Sequence, residues 1–238
     1  GELGVELWWE EEQTERIESE DLSKPTVTRK KTIRRAITSN PFLTTRHEVS
    51  LRQNPRRKGS AVYAGYETDN AFQWLIRNPS DRDVKATLRL PLPSTSAMLN
   101  DLAVILDETN VLDRLCVEGG ALVLDSDCAK GATMDYRVQF KSRGLSHWYF
   151  QMSEQREIRD FILTLRLPDL PKDKLNYPEG CMSPTETTKT PDGRGCVLAY
   201  RLDHAISTKG MGIELPKQSQ PGHLASARLV LSEARILR

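Results

Sequence analysis

Hydrophobic and polar positions alternate with a period of two along much of this chain, and the alternation is cleanest over 132–141. There Met134, Tyr136, Val138 and Phe140 alternate with Asp135, Arg137, Gln139 and Lys141, which predicts a strand with one wet face. Phe72, Trp74 and Ile76 alternate with Gln73, Leu75 and Arg77 in the same way, and Asn78-Pro79-Ser80-Asp81 follows. Proline fixes one φ and the short polar side chains supply local acceptors, so a hairpin is expected, its second strand over 84–90. Pro91 and Pro93 remove two backbone donors, and that strand must end there or lie at an edge. Further strands are expected over 61–66, 100–106, 158–167, 197–202 and 210–216. The stretch 46–58 ends in Arg56-Arg57-Lys58-Gly59 and reads as a basic, solvated loop. Residues 223–238 suit a short amphipathic helix or a final strand.

This pattern predicts an all-β protein of one or two antiparallel β-sandwich-like units with long Pro-rich connections. A division into an N-terminal β domain, 1–145, and a C-terminal β-rich domain, 146–238, is expected, with a single continuous domain as the alternative. A chain of 238 residues can bury a substantial core in either arrangement. The N-terminal unit begins with a charged segment: Glu10, Glu11, Glu12, Glu15, Glu18, Glu20 and Asp21 precede Arg29, Lys30, Lys31, Arg34 and Arg35 across a turn-like Leu22-Ser23-Lys24-Pro25. Folded as a two-stranded ribbon, the two halves would set opposite charges against one another, at about 0.2 to 1 kcal/mol for each good pair. The acidic half would also suit an exposed helix.

Composition narrows the function classes. The net charge is +1, and the acids beside the basic strip cancel its field, so no nucleic-acid partner is expected. No apolar run approaches the ~20 residues of a membrane-spanning helix. The chain opens at Gly1 without a methionine, which predicts a processed chain or an excerpt of a longer one.

Cys116, Cys128, Cys181 and Cys196 fall into two sequence-local pairs, each across its own turn, and three connectivities are possible. If Cys116 joined Cys128 and Cys181 joined Cys196, each link would contribute about 3 kcal/mol and suggest an oxidising compartment. Four free thiols are the alternative. A zinc site is disfavoured because no CxxC occurs. The four histidines, His47, His147, His204 and His223, form no metal-binding pair, and Asp203 and His204 would face opposite sides of a strand. No nucleophile elbow, phosphate loop or dinucleotide fingerprint is present. No catalytic residue, cofactor or metal is therefore expected. His147, Trp148 and Tyr149 are candidate aromatics for a carbohydrate or peptide groove, with core packing as the alternative.

Arg77-Asn78-Pro79-Ser80-Asp81 followed by Leu88-Arg89-Leu90-Pro91-Leu92-Pro93 resembles the opening of VIT-type domains, β-rich modules of inter-alpha-trypsin inhibitor heavy chains and vault-associated proteins. A broader similarity runs through Arg56-Arg57-Lys58-Gly59, the NPSDRD and LPLPS stretches, Ser142-Arg143-Gly144-Leu145-Ser146-His147-Trp148, Ser183-Pro184-Thr185, Gly210-Met211-Gly212-Ile213 and Gln220-Pro221-Gly222-His223. That order resembles the extracytoplasmic part of an uncharacterised bacterial inner-membrane family with a CreD-like membrane arrangement. The resemblance implies a periplasm-facing binding or sensing domain, attached to the inner membrane through segments absent from this chain. Its partner would be an envelope protein, peptide or glycan. An envelope-polymer hydrolase, marked by two carboxylates converging in a cleft, and a structural assembly module are the rival expectations.

Overall fold

A computed structural model of the chain describes residues 4–17, 27–58, 61–91, 99–150, 157–206 and 209–216. They form the strands β1 (Gly4–Ile17), β2 (Val27–Ala36), β3 (Phe42–Gln53), β4 (Arg56–Lys58), β5 (Ala61–Tyr63), β6 (Gly65–Arg77), β7 (Val84–Pro91), β8 (Asn100–Leu106) and β9 (Thr109–Asn110). After them come β10 (Cys116–Glu118), β11 (Ala121–Cys128), β12 (Thr133–Leu145), β13 (His147–Phe150), β14 (Glu157–Leu167), β15 (Glu186–Lys189), β16 (Cys196–Ile206) and β17 (Met211–Glu214). Single turns of 3-10 helix at Leu112–Arg114 and Lys172–Lys174 are the other regular elements among the described residues. The expected terminal element over 223–238, with His223, lies outside the described residues, as does Pro93.

A major sheet of eight strands has the order β15-β16-β14-β3-β6-β12-β8-β9, and a minor sheet of five has the order β10-β11-β7-β1-β2. Their inner faces share one hydrophobic cluster. Val5, Leu7, Ala86, Leu88 and Leu124 come from the minor sheet, and Val49, Leu51, Phe72, Trp74, Ile76, Tyr136, Val138, Leu163 and Leu165 from the major one. This is an all-β sandwich, as the period-two patterning predicts. All major-sheet pairings are antiparallel except β3 with β14, which is parallel. That pairing joins strands from either side of residue 145 in one sheet.

Two local expectations are corrected. The Asn78-Pro79-Ser80-Asp81 turn does not close a hairpin, since β6 belongs to the major sheet and β7 to the minor one. It is a corner between sheets, held by the buried Asn78. The Asn78 amide donates to the carbonyls of Arg82 (2.8 Å), Cys128 (3.1 Å) and Ala129 (3.1 Å), and its oxygen accepts from the backbone N–H (3.0 Å) and hydroxyl (2.7 Å) of Ser80. Likewise 46–58 is no loop. Most of it is β3, a central strand between β14 and β6, whose inner positions carry His47, Val49 and Leu51. A histidine among the inward positions hides the alternation.

The acidic and basic segments pair as β1 and β2, with Glu10 opposite Arg34, Glu12 opposite Thr32 and Glu15 opposite Arg29. Pro91 ends β7 opposite Ala121 of β11, two residues past Arg89, the last β7 residue paired with β1 among the described residues.

All four cysteines are free thiols, with Cys128 and Cys196 buried and Cys116 exposed. Gly119 and Gly120, at φ 54° and 74°, turn β10 into β11 and set Cys116 opposite Val123. Cys128 lies five residues farther along β11, roughly 17 Å at the rise of a strand, well past the ~7 Å that a disulfide tolerates between Cα atoms. The expected Cys116–Cys128 link is therefore not made. Cys196 Sγ lies 3.3 Å from the Leu170 carbonyl oxygen, and Cys181, part-exposed, is likewise unbridged. Alkylation of folded protein should label Cys116 first and Cys128 and Cys196 only after denaturation, as read by mass spectrometry of digests. A peptide joining Cys116 to Cys128 would contradict this geometry.

Candidate functional site

The outer face of the major sheet carries a cleft of about 370 Å³, within the usual range of ligand sites. Strand alternation decides what lines it. With Val49, Asn70 and Val138 directed inward, Glu48 and Ser50 of β3, Asp69 and Ala71 of β6, and Gln139 and Lys141 of β12 point outward. Register then assembles them into two rows. One runs Arg166, Ser50, Asp69, Lys141 and the other Thr164, Glu48, Ala71, Gln139. The small Ala71 leaves space at the centre, and the charged groups stand around it.

A bulge brings in the last carboxylate. The pairing of β12 with β8 slips between Gln139 and Lys141, and Asp101 takes a left-handed backbone conformation at φ 52°. Such a bulge re-aims a side chain at a local conformational cost. Here Asp101 reaches Lys141 Nζ at 2.8 Å and holds the lysine pKa above its ordinary value by hydrogen bonding and charge. Across the cleft Arg166 lies 3.8 Å from Glu48. Asp69 forms no salt bridge with another described residue. Exposed pairs of this kind add little stability, about 0 to 1 kcal/mol.

Phe140 is the one aromatic residue among those lining the cleft. It stacks edge-on against Phe72 on the inner side, with ring centroids 5.5 Å apart. The sequence-derived aromatics do not make a groove elsewhere. Within β13, Trp148 is buried in the core while His147 and Tyr149 are exposed on the opposite face. Tyr149 covers Gly210 and Gly212, where an added Cβ would collide with its ring. His147, Trp148 and Tyr149 are thus divided between the two faces of one short strand. His204 Nε2 meets Glu157 at 2.5 Å on the exposed end of β16. Among the described residues no three His, Cys, Asp or Glu side chains gather as a metal site.

His47 is the least ordinary titratable group. It is fully enclosed by Phe72, Trp74, Phe150 and Phe161, whose ring centroids lie 4.4, 5.1, 5.2 and 5.6 Å away. Its Nδ1–H donates to the Arg46 carbonyl at 2.9 Å, which fixes the neutral tautomer. Burial pushes its pKa down to about 3, partly opposed by that hydrogen bond.

Sequence reasoning places Gln139 and Lys141 on a wet face but singles out none of Glu48, Asp69, Asp101 or Arg166. The available signal was period-two alternation in β6 and β12. What joins them is register, together with a bulge that no local pattern announces.

No protein-family model matches the chain, and no curated protein matches it. Among solved structures, a Legionella pneumophila protein provisionally assigned to nutrient binding is similar over 74% of this chain and 69% of its own, at 10% identity and a TM-score of 0.46. The M1 zinc metallopeptidase of Deinococcus radiodurans is similar over 73% of this chain and 42% of its own, at 10% identity and a TM-score of 0.40. This chain thus corresponds to less than half of the peptidase. No helix among the described residues is long and apolar enough to cross a membrane.

Proposed function

We propose that this protein is a non-enzymatic binding domain whose cleft on the outer face of the major sheet takes a small zwitterionic ligand of the peptide type. The observation that carries this is the cleft lining itself. Carboxylates and cations stand around the small Ala71: Asp69, opposite Lys141, forms no salt bridge with another described residue and can take an incoming amine, and Arg166, only loosely paired to Glu48 at 3.8 Å, can turn to a ligand carboxylate. Ser50 and Gln139 supply neutral donors and acceptors between them.

Glu48, Asp69 and Asp101 all line the cleft, and the engagement of two of them favours binding over hydrolysis. Glu48 lies 3.8 Å from Arg166 and Asp101 2.8 Å from Lys141, so two of the three are held in ion pairs. A glycosidase-type mechanism needs two carboxyl groups at work, one donating a proton and the other acting as nucleophile or base, and two ion-paired carboxylates leave only Asp69 uncommitted among the three. The extracytoplasmic, inner-membrane setting is part of the proposal and is supported by the ordered motifs that resemble the CreD-like family.

Ala71→Trp tests the site, because Ala71 is exposed and an indole there fills the cleft without touching the core. Calorimetric titration with di- and tripeptides bearing free termini should show binding to the native protein and at least a tenfold loss, about 1.4 kcal/mol, in Ala71→Trp. Equal affinity in the two proteins would remove the cleft from consideration. Tight binding of a neutral oligosaccharide, with none of the peptides, would replace the ligand class.

A further inference from the structure

We propose that the β1–β2 ribbon is a self-association arm, packing face to face against the same ribbon of a second copy of this chain. Past Trp8, β1 leaves β7 and pairs with β2 alone. Residues 10–15 of β1, and 29–32 and 34–36 of β2, are exposed on both faces of the ribbon. Its base, in contrast, is clamped. Arg34 stacks 3.9 Å over Trp8, and Arg82 lies 5.2 Å from Trp9 on the other face. Trp8 Nε1 also donates to Thr87 Oγ1 at 2.7 Å. A two-stranded ribbon is marginally stable alone in water, so a clamped base beneath an uncovered arm suggests a surface that acquires a cover.

The charge layout identifies the cover. Glu10, Glu11, Glu12 and Glu15 lie on β1, and Arg29, Lys30, Lys31, Arg34 and Arg35 on β2, so one half is acidic and the other basic. Edge-to-edge pairing of β1 with β1, or of β2 with β2, sets like charges side by side and is disfavoured. A twofold axis running along the ribbon has the opposite effect. It lays β1 of each copy over β2 of the other, acidic on basic twice, and closes at two copies. Any other partner would need this same two-stripe pattern, whereas a second copy carries it necessarily. The arm extends about nine residues past Trp8, roughly 30 Å, and is two strands wide. It can therefore bury only a few hundred Å², less than the ~800 Å² each partner contributes to a standard interface. The association is accordingly weak, reversible and sensitive to salt.

Sedimentation velocity on the whole chain, from low to high micromolar, tests this. The native protein should pass from monomer to dimer at low ionic strength and return to monomer at about 1 M salt, where screening acts within ~3 Å. One charge-swapped form carries Glu11→Lys, Glu12→Lys and Glu15→Lys, and the other carries Arg29→Glu, Lys30→Glu and Lys31→Glu. Each should be monomeric alone, and their mixture should form a heterodimer. Single-strand swaps also remove charge pairs within the ribbon, so the six-fold variant combining both sets is the control for folding. It keeps opposite charges across the ribbon and should dimerise as the native protein does. Three results would overturn the proposal: a native protein monomeric throughout, growth beyond two copies, or a dimer indifferent to salt and to the swaps.

Discussion

Acidification from pH 7 to pH 4.5 should cost the native protein about 3 kcal/mol more stability than it costs His47→Phe. In the unfolded chain this imidazole takes its proton near the ordinary value of 6.5, and in the folded protein only near about 3. Between those limits the unfolded state binds the extra proton. Stability from this group is therefore complete above pH 6.5 and falls by about 1.4 kcal/mol per pH unit below it, levelling off near pH 3. The physical cause is burial within the aromatic enclosure, where four rings surround the imidazole and charging it would cost its hydration. Phenylalanine fits the same kind of space, loses the hydrogen bond to the Arg46 carbonyl, and should cost about 1 to 2 kcal/mol at neutral pH. Urea unfolding of both proteins at the two pH values checks the difference. Parallel losses would show that His47 is not protonated on unfolding, or that its cage opens before the core does.

Asn78→Asp, a change of one side-chain atom group, should lower stability by about 3 kcal/mol or more, and the melting temperature by about 6 to 12 °C. Asn78 is 1% exposed, and its amide satisfies three carbonyl oxygens that belong to the corner and to the segment joining β11 to β12. Aspartate replaces those donors with a second acceptor, facing carbonyls at 2.8 to 3.1 Å with no proton to offer. Asn78→Ala leaves the same carbonyls unpaired and removes the acceptor for Ser80, so a loss of similar size is expected. Thermal melts of both variants test this. A loss under 1 kcal/mol in each would mean that water replaces the amide and that the corner is held by other contacts.

Asn78 also shows what the sequence can and cannot convey. The Asn-Pro-Ser-Asp pattern marks a reversal correctly, because proline geometry and short polar side chains act over four residues. It does not reveal that β6 and β7 enter different sheets, because the deciding contacts are Asn78 to Cys128 and Ala129, some fifty residues away. β12 and β14 were legible for the same reason that β3 was not. The first two present apolar side chains at successive inward positions, whereas β3 places His47 inward and reads as polar. The candidate site was the least legible part. Its lining comes from five strands, β3, β6, β8, β12 and β14, and each residue alone resembles any solvated position on a wet face. Cross-strand register and the bulge at Asp101 create the site, and both depend on pairing over long stretches of chain.

The cleft's role as a binding site is tested most directly by amide-resolved NMR of the isotopically labelled native chain during addition of a dipeptide with free termini. The expected result is saturable shifts centred on Ser50, Asp69, Ala71, Asp101, Gln139 and Lys141. They should be absent when the same dipeptide carries blocked, uncharged ends. Shifts that cluster elsewhere, or none at millimolar dipeptide, would contradict a zwitterion-binding cleft on the outer face of the major sheet.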